Sequence, residues 1–282
     1  MLNIFTTIAK NKIKSLAIGS FDGLHLGHQK LINLLDDFGA ILIVDKFQGR
    51  KLCTHKEKQI LSNKQIIELD FESIKNLDGK EFLDFLKKEF VSLKCIIVGY
   101  DFCFGKNKAY KAKDIENLSG IKTIIVDEFC INGMSVHTSL IKEFLAKGEI
   151  EKANLLLGRN YSIKGKHVKG QGLGSKELYA TLNLQCDDYV LPKEGVYATL
   201  TQIKDAIYKS VSFLGLRSSD GKFAIESHIL EKFDQDINCK DMIEIQFISF
   251  LRENHKFEDL TQLKKQISQD IQLAQDRLKD LK

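Results

Sequence analysis

Tryptophan is absent from this 282-residue chain, and proline occurs once. Arginine is scarce: five of the 42 basic residues are Arg and the rest Lys. No two of the six cysteines are spaced C-x-x-C, which leaves zinc and thioredoxin-like readings without support. The expectation is instead reduced thiols, mostly in cores. No run approaches the roughly 20 apolar residues of a membrane span. Met1 to Ile18 alternates Lys with short apolar pieces and lacks the long apolar core of a secretory signal. A soluble cytoplasmic protein without a membrane partner is expected. The net charge is +4 over 80 charged side chains, a small excess that suits anionic small ligands and does not call for nucleic acid.

What is present is a chain 43% hydrophobic, rich enough for real cores and long enough for two domains. Its first half alternates strand-like and helix-like segments. Leu16–Gly19, Ala40–Val44, Ile66–Leu69, Cys95–Val98 and Thr123–Val126 are apolar runs of strand length. Leu31, Leu34, Leu35 and Phe38 recur at helical spacing, as do Phe82, Phe85, Leu86 and Phe90. This alternation predicts an α/β domain with a mostly parallel sheet. Two helices, Leu140–Lys147 and Ile150–Leu157, close it, with Gly148 between them. Beyond Gly158 short apolar stretches alternate with turn residues: 161–168, 195–203, 210–214, 223–230 and 242–250. These predict a small antiparallel barrel, and 257–281 an amphipathic last helix. The predicted boundary gives domains 1–157 and 158–282.

Gly19-Ser20-Phe21-Asp22-Gly23-Leu24-His25-Leu26-Gly27-His28 follows a strand and opens a helix. Backbone N–H groups and the positive helix end favour an anion there. His25 and His28, three apart, share a face if the helix has begun, and both imidazoles can donate to phosphate oxygens. Gly23 and Gly27 allow a nucleotide close to the backbone.

The segment resembles the His-x-Gly-His nucleotidyltransferases, specifically the FMN adenylyltransferase half of bacterial bifunctional riboflavin kinase/FAD synthetases. Val98–Gly105 resembles that family's Val-Gly-x-Asp/Asn-Phe-x-Phe-Gly segment, and His137–Lys142 its Ser-Ser-Thr-x-Ile-Arg helix start. The resemblance implies ATP held by Gly19, Phe21, Asp22, Gly23, His25, His28, Thr138, Ser139 and Lys142. It implies Asp101 and Gly105 near FMN or the nucleotide. Lys142 stands where the family has Arg, and a point charge replaces the bidentate fork. His137 stands where it has Ser. The family's Thr-Phe-Asp-Pro-His-Pro stretch is absent, with Asp45-Lys46-Phe47-Gln48 in its place.

The second half carries the companion resemblance. Gly170–Gly174 leading into Tyr179-Ala180-Thr181-Leu182-Asn183 is similar to the flavokinase loop and its Phe-Pro-Thr-Ala-Asn motif. Thr181 and Asn183 are hard oxygen donors suited to Mg²⁺ on ATP. The resemblance implies Gly170, Gly174, Thr181 and Asn183 as the kinase ATP/Mg²⁺ site. Glu226-Ser227-His228 is similar to its Glu-x-His motif, which implies Glu226 as the base. A base is needed because the ribityl hydroxyl is neutral with a high pKa. His228 reads as structural. Phe247–Phe257 is close to Phe-x-x-Phe-Leu-Arg-x-Glu-x-Lys-Phe, implying Arg252 beside the flavin; a salt-bridge or capping role fits it equally. Phe213–Ser219 keeps only the Gly of the family's pocket segment.

The implied activity is ATP-dependent conversion of riboflavin to FMN and of FMN to FAD, with Mg²⁺. The implied partners are riboflavin, FMN, FAD and ATP, on a monomer or weak homo-oligomer. Two alternatives stay open: an FMN adenylyltransferase with a degenerate kinase module, and a non-catalytic flavin- or nucleotide-binding regulator.

Overall fold

The computed structural model describes residues 2–5, 9–45, 49–169, 179–217, 220–233, 237–238, 241–257 and 259–281. The chain divides into two compact units, Met1–Thr138 and Ser139–Lys282.

The first unit is built on a six-stranded sheet. In chain order its strands are β1 (Leu2–Phe5), β2 (Ser15–Gly19), β3 (Gly39–Asp45), β4 (Gln65–Asp70), β5 (Cys95–Gly99) and β8 (Lys122–Val126). Their spatial order is β1-β4-β3-β2-β5-β8. All pairs are parallel except β1 with β4, an antiparallel edge that the sequence reading missed. Both faces are covered, which is why β2 reads as an uninterrupted apolar run. Leu16 and Ile18 pack on one side with Leu42, Phe82, Leu86 and Phe90. Ala17 packs on the other with Leu31, Ile32, Ile41 and Ile97. From β2 the chain winds outward to β3 and β4, then returns to lay β5 on the other flank of β2. The carboxyl ends of β2 and β5 therefore border the crevice at a topological switch point, where open α/β sheets bind ligands.

The helices of this unit are α1 (Leu26–Ile32), α2 (His55–Ser62), α3 (Phe71–Ile74), α4 (Gly79–Glu89) and α5 (Asp114–Ser119). Capping boxes start two of them, Thr54 with Glu57 and Asp78 with Glu81. Two short ribbons complete it: β6 (Cys103–Phe104) with β7 (Tyr110–Lys111), and β9 (Cys130–Ile131) with β10 (Met134–Ser135).

Two expectations are corrected here. The first helix does not run to Phe38. It stops at Ile32, because Asp36 is drawn back to Ser15 (Oγ to Oδ1 3.0 Å) and Gly39 N–H closes a turn on the Asp36 carbonyl. Leu34 and Phe38 are left exposed. Nor are the thiols mostly in cores. Of the five described cysteines only Cys53 is buried, while Cys103 and Cys130 sit exposed on the ribbons.

In the second unit, α6 (Thr138–Lys147, whose first residue closes the first unit) and α7 (Ile150–Leu157) precede a closed antiparallel barrel. Its strands are β11 (Tyr161–Val168), β12 (Leu182–Gln185), β13 (Gly195–Ile203), β14 (Ala206–Leu216), β15 (Phe223–Ile229) and β16 (Met242–Arg252), in the order β11-β12-β15-β14-β13-β16. Inside it runs a chain of buried hydroxyls, Ser212–Thr199–Ser210–Thr201–Ser227, with O···O distances of 2.7, 2.8, 2.8 and 2.7 Å. The last helix, α8 (Leu260–Leu278), lays Ala274 and Leu278 on Val196, Ala198 and Val211.

Candidate active sites

The turn after β2 is conformationally unusual. Phe21 and Leu24 adopt φ of 48° and 42°, the left-handed region that costs a residue with a side chain about 1 kcal/mol or more. Surrounding contacts hold it. Phe21 and Leu24 are buried. Asp22 Oδ1 accepts from Leu52 N–H at 2.8 Å, and the Asp22 carbonyl from Thr138 Oγ1 at 3.0 Å. Lys58 Nζ donates to the Ser20 carbonyl at 3.2 Å. Lys58 itself is 1% exposed, a buried cation that sequence reading missed because nothing in its α2 pattern marks it as inward.

His25 is not inside the helix but caps it: its Nδ1 accepts from His28 N–H at 3.2 Å. A neutral His25 therefore carries its hydrogen on Nε2 and can donate from there. The His25 and His28 rings stack with centroids 3.6 Å apart. Burial first, then the nearby charges of His25, Lys58 and His137, hold His28 well below its ordinary pKa. Its Nδ1 is buried with no hydrogen-bond partner among the described residues. Gly27 has a packing reason, since a Cβ there would stand 3.2 Å from the His25 ring and 3.3 Å from the Val136 carbonyl.

Around this turn lies a second group that sequence reading missed as a group. Glu128 Oε1 accepts from Ser135 Oγ (2.5 Å) and Tyr100 O–H (3.1 Å) and lies 3.4 Å from His137 Nε2. These bonds hold the Glu128 carboxyl below its usual range. Asp101, just past β5, is exposed. Gly105 (φ 73°) packs tightly, because a Cβ would meet the Tyr110 ring at 2.8 Å and Gly79 N at 2.9 Å. Thr138 opens α6. Ser139 follows it exposed, and Lys142 stands four residues on from Thr138, one helical turn along.

In the barrel, Asn183 and Glu226 lie 43 positions apart in sequence yet stand directly opposite each other across β12 and β15. Asn183 is buried, and Thr181 lies two residues before it, half-buried. Burial raises the Glu226 pKa above the ordinary carboxylate value, against the opposing pull of Arg217, whose Nη1 lies 3.4 Å from Oε1. Arg217 is held in turn by Asp220 (Nη2–Oδ2 2.9 Å, Nε–Oδ1 3.2 Å). It falls in the segment where sequence reading kept only Gly215. Thr181 and Asn183 supply neutral hard oxygens, and no cluster of three His, Cys, Asp or Glu fit for a metal occurs among the described residues. That donor set fits Mg²⁺ taken mainly by nucleotide phosphates. Gly170 and Gly174 lie outside the described residues. Arg252 forms a fork on Asp270 (Nε–Oδ1 2.8 Å, Nη2–Oδ2 2.7 Å), and its Nη1 donates to the Glu253 carbonyl at 2.9 Å.

Comparison with known proteins fits this two-site arrangement. The FAD synthetase family model matches residues 7–42 and 46–140, and the riboflavin kinase model residues 157–278. A "bifunctional riboflavin kinase/FMN adenylyltransferase" of Haemophilus influenzae is 28% identical, with 92% of each chain covered. Its Bacillus subtilis counterpart is 28% identical over 95% of this chain and 93% of its own. A crystal structure described as a macrolide-efflux protein from Streptococcus pneumoniae superposes with a TM-score of 0.84 at 23% identity. It covers 97% of this chain and 96% of that one, a likeness of fold alone.

Proposed function

We infer from its place in the bifunctional riboflavin kinase/FMN adenylyltransferase family, to which this chain belongs, that it makes both flavin cofactors. It phosphorylates riboflavin with ATP and adenylylates the FMN formed, releasing pyrophosphate. We assign the adenylyl transfer to residues 1–157 and the kinase to 158–282. The observation that carries a working kinase, rather than a relic, is the cross-strand pairing of Glu226 with Asn183.

In the kinase, Glu226 accepts the proton of the ribityl hydroxyl as the γ-phosphoryl group is transferred. Its burial makes it a stronger base than an exposed carboxylate. Thr181 and Asn183 would hold Mg²⁺, which when bound neutralises phosphate charge. Arg252 serves the flavin side by anchoring β16 to α8.

The adenylyl transfer needs no general base, because the attacking phosphate of FMN is already anionic. Positioning and charge neutralisation carry it. His25 donates from Nε2, and a neutral His28, its ring stacked 3.6 Å from that of His25, donates beside it. Thr138, Ser139 and Lys142 at the start of α6 receive the phosphates, with Gly19, Phe21, Asp22 and Gly23 shaping the turn and Asp101 beside the flavin nucleotide. No described helix is long and apolar enough to cross a membrane. We take the cytoplasm as the site of action, a monomer or weak homo-oligomer as the working form, and no nucleic acid as partner.

The test is a chromatographic time course on purified protein with Mg²⁺ and ATP, from riboflavin in one tube and FMN in another. Riboflavin turning to FMN and then FAD is the expected result. FAD from FMN with nothing from riboflavin would reduce the protein to an adenylyltransferase. Tight flavin or nucleotide binding without product would make it a regulator.

A further inference from the structure

His228 has no part in the chemistry above, yet it stands two residues beyond Glu226 on β15, so both project from the same side of the sheet. The β12–β15 ladder consists of Leu182↔Ser227 and Asn183↔Glu226. One more step of that register would set Thr181 opposite His228, but the backbone pairing stops short of it. A side chain takes over at that point: His228 Nδ1 lies 2.8 Å from the Ala180 carbonyl oxygen. A carbonyl only accepts, so Nδ1 carries the hydrogen. Tyr179 closes edge-on against the His228 ring, with centroids 5.3 Å apart. The Tyr179 hydroxyl reaches Ser268 Oγ on α8 at 3.0 Å. Ser268 gives its own hydrogen to the Lys264 carbonyl, which leaves Tyr179 as the donor.

We propose that His228 is a positioning residue of the kinase: through Ala180 it fixes the backbone that presents Thr181 and Asn183, and Tyr179 ties the same segment to α8. Oxygen ligands work only when held to within about 0.5 Å. Thr181 lies just past the end of the ladder, held to the strand that bears the base by the Leu182↔Ser227 pair on one side and by the His228 bond to Ala180 on the other. The inference rests on the kinase reading, and its test separates the two.

Asn and Gln imitate different ring nitrogens, Asn placing an N–H where Nδ1 was and Gln where Nε2 was. Mg²⁺ is titrated calorimetrically into the full chain holding ADP and FMN, the kinase products, with the Asn183→Ala isotherm as background. Amide hydrogen exchange over residues 179–185 is followed alongside. His228→Asn should bind Mg²⁺ within about twofold of the parent. His228→Gln should bind it roughly three- to tenfold more weakly, the range one lost hydrogen bond spans. It should also exchange faster over 179–185 and raise the KM for Mg·ATP far more than it lowers kcat. FAD formation from FMN should not change. Equal isotherms for the Asn and Gln variants, whether both normal or both impaired, overturn the proposal. Tyr179→Phe removes one exposed hydroxyl and keeps the ring; it should weaken Mg²⁺ in the same direction by less, and an unmoved isotherm overturns the tie to α8. A parent protein that makes no FMN sinks the kinase reading instead.

Discussion

Replacing Asp270 by Asn tests what holds the last helix to the barrel. Asp270 is 3% exposed and takes two charge-assisted bonds from Arg252, at 2.7 and 2.8 Å. Breaking a buried pair by removing one partner costs about 3–5 kcal/mol. Three features lower that here. The Arg252 side chain is 17% exposed, its Nη1 keeps the Glu253 carbonyl, and the Asn oxygen still accepts one bond. The expected loss is about 2–3 kcal/mol. At about 2–4 °C per kcal/mol for domains of this size, the barrel transition should fall by roughly 4–12 °C. Thermal unfolding followed by circular dichroism reads this directly, with urea titration as the second measure. Arg252→Met with Asp270→Leu should recover most of the loss, since apolar replacement of a whole buried pair is close to neutral. A shift below about 1 °C for Asp270→Asn, or a double variant no better than the single, would refute the reasoning.

Glu226→Gln should abolish FMN formation and leave FMN-to-FAD conversion running, and His28→Ala should do the reverse; a folded variant that loses both activities would sink the two-site scheme. Lys142→Arg should retain or improve FAD synthesis, and a large drop in its kcat/KM would show a site rebuilt around Lys. Acid should unfold the first unit partly through His28. Its folded pKa lies below the ordinary 6.5, so between the two values the unfolded chain binds the proton and the folded chain does not. Stability present above pH 6.5 is therefore lost as pH falls from there toward the folded pKa. Urea midpoints from pH 7.5 to 5 should show a slope in the parent that is reduced in His28→Gln, and parallel curves would refute it.

Much of this fold is legible in sequence because periodicity reports burial. The runs at 16–19, 40–44 and 95–98 are strands buried on both faces, and their apolar continuity is what burial demands. β12 is not legible: its four residues, Leu-Asn-Leu-Gln, alternate over too short a run to mark a strand, the buried Asn183 stands at a polar position, and its strand character comes from the partners on either side. Leu34 and Phe38 misled because spacing says nothing about where a chain turns. The exposed Phe38 ring meets the Lys14 ammonium, 4.6 Å from its centroid, instead of a core. Among site residues, the His loop and the Thr181, Asn183, Glu226 set follow from motif resemblance. Lys58, Arg217 and Glu128 do not, because each acquires its place through a contact that no motif spacing marks: Ser20, Glu226 and Tyr100 in turn.

The hydroxyl chain inside the barrel bears on how this domain can drift. Five hydroxyls joined by four links have one hydrogen each, so every link takes its direction from its neighbour. Changing Thr201 alone to Val would take from Ser227 its link in the chain and leave Ser210 with Thr199 only, in a buried interior, at about 1–3 kcal/mol for a group left unpaired. Converting the set together to apolar residues of matching volume would cost far less. Ser212, Thr199, Ser210, Thr201 and Ser227 are therefore bound to one another as a hereditary unit. Lineages of this barrel should hold all five hydroxyls or exchange them in blocks, with single replacements rare between the two states.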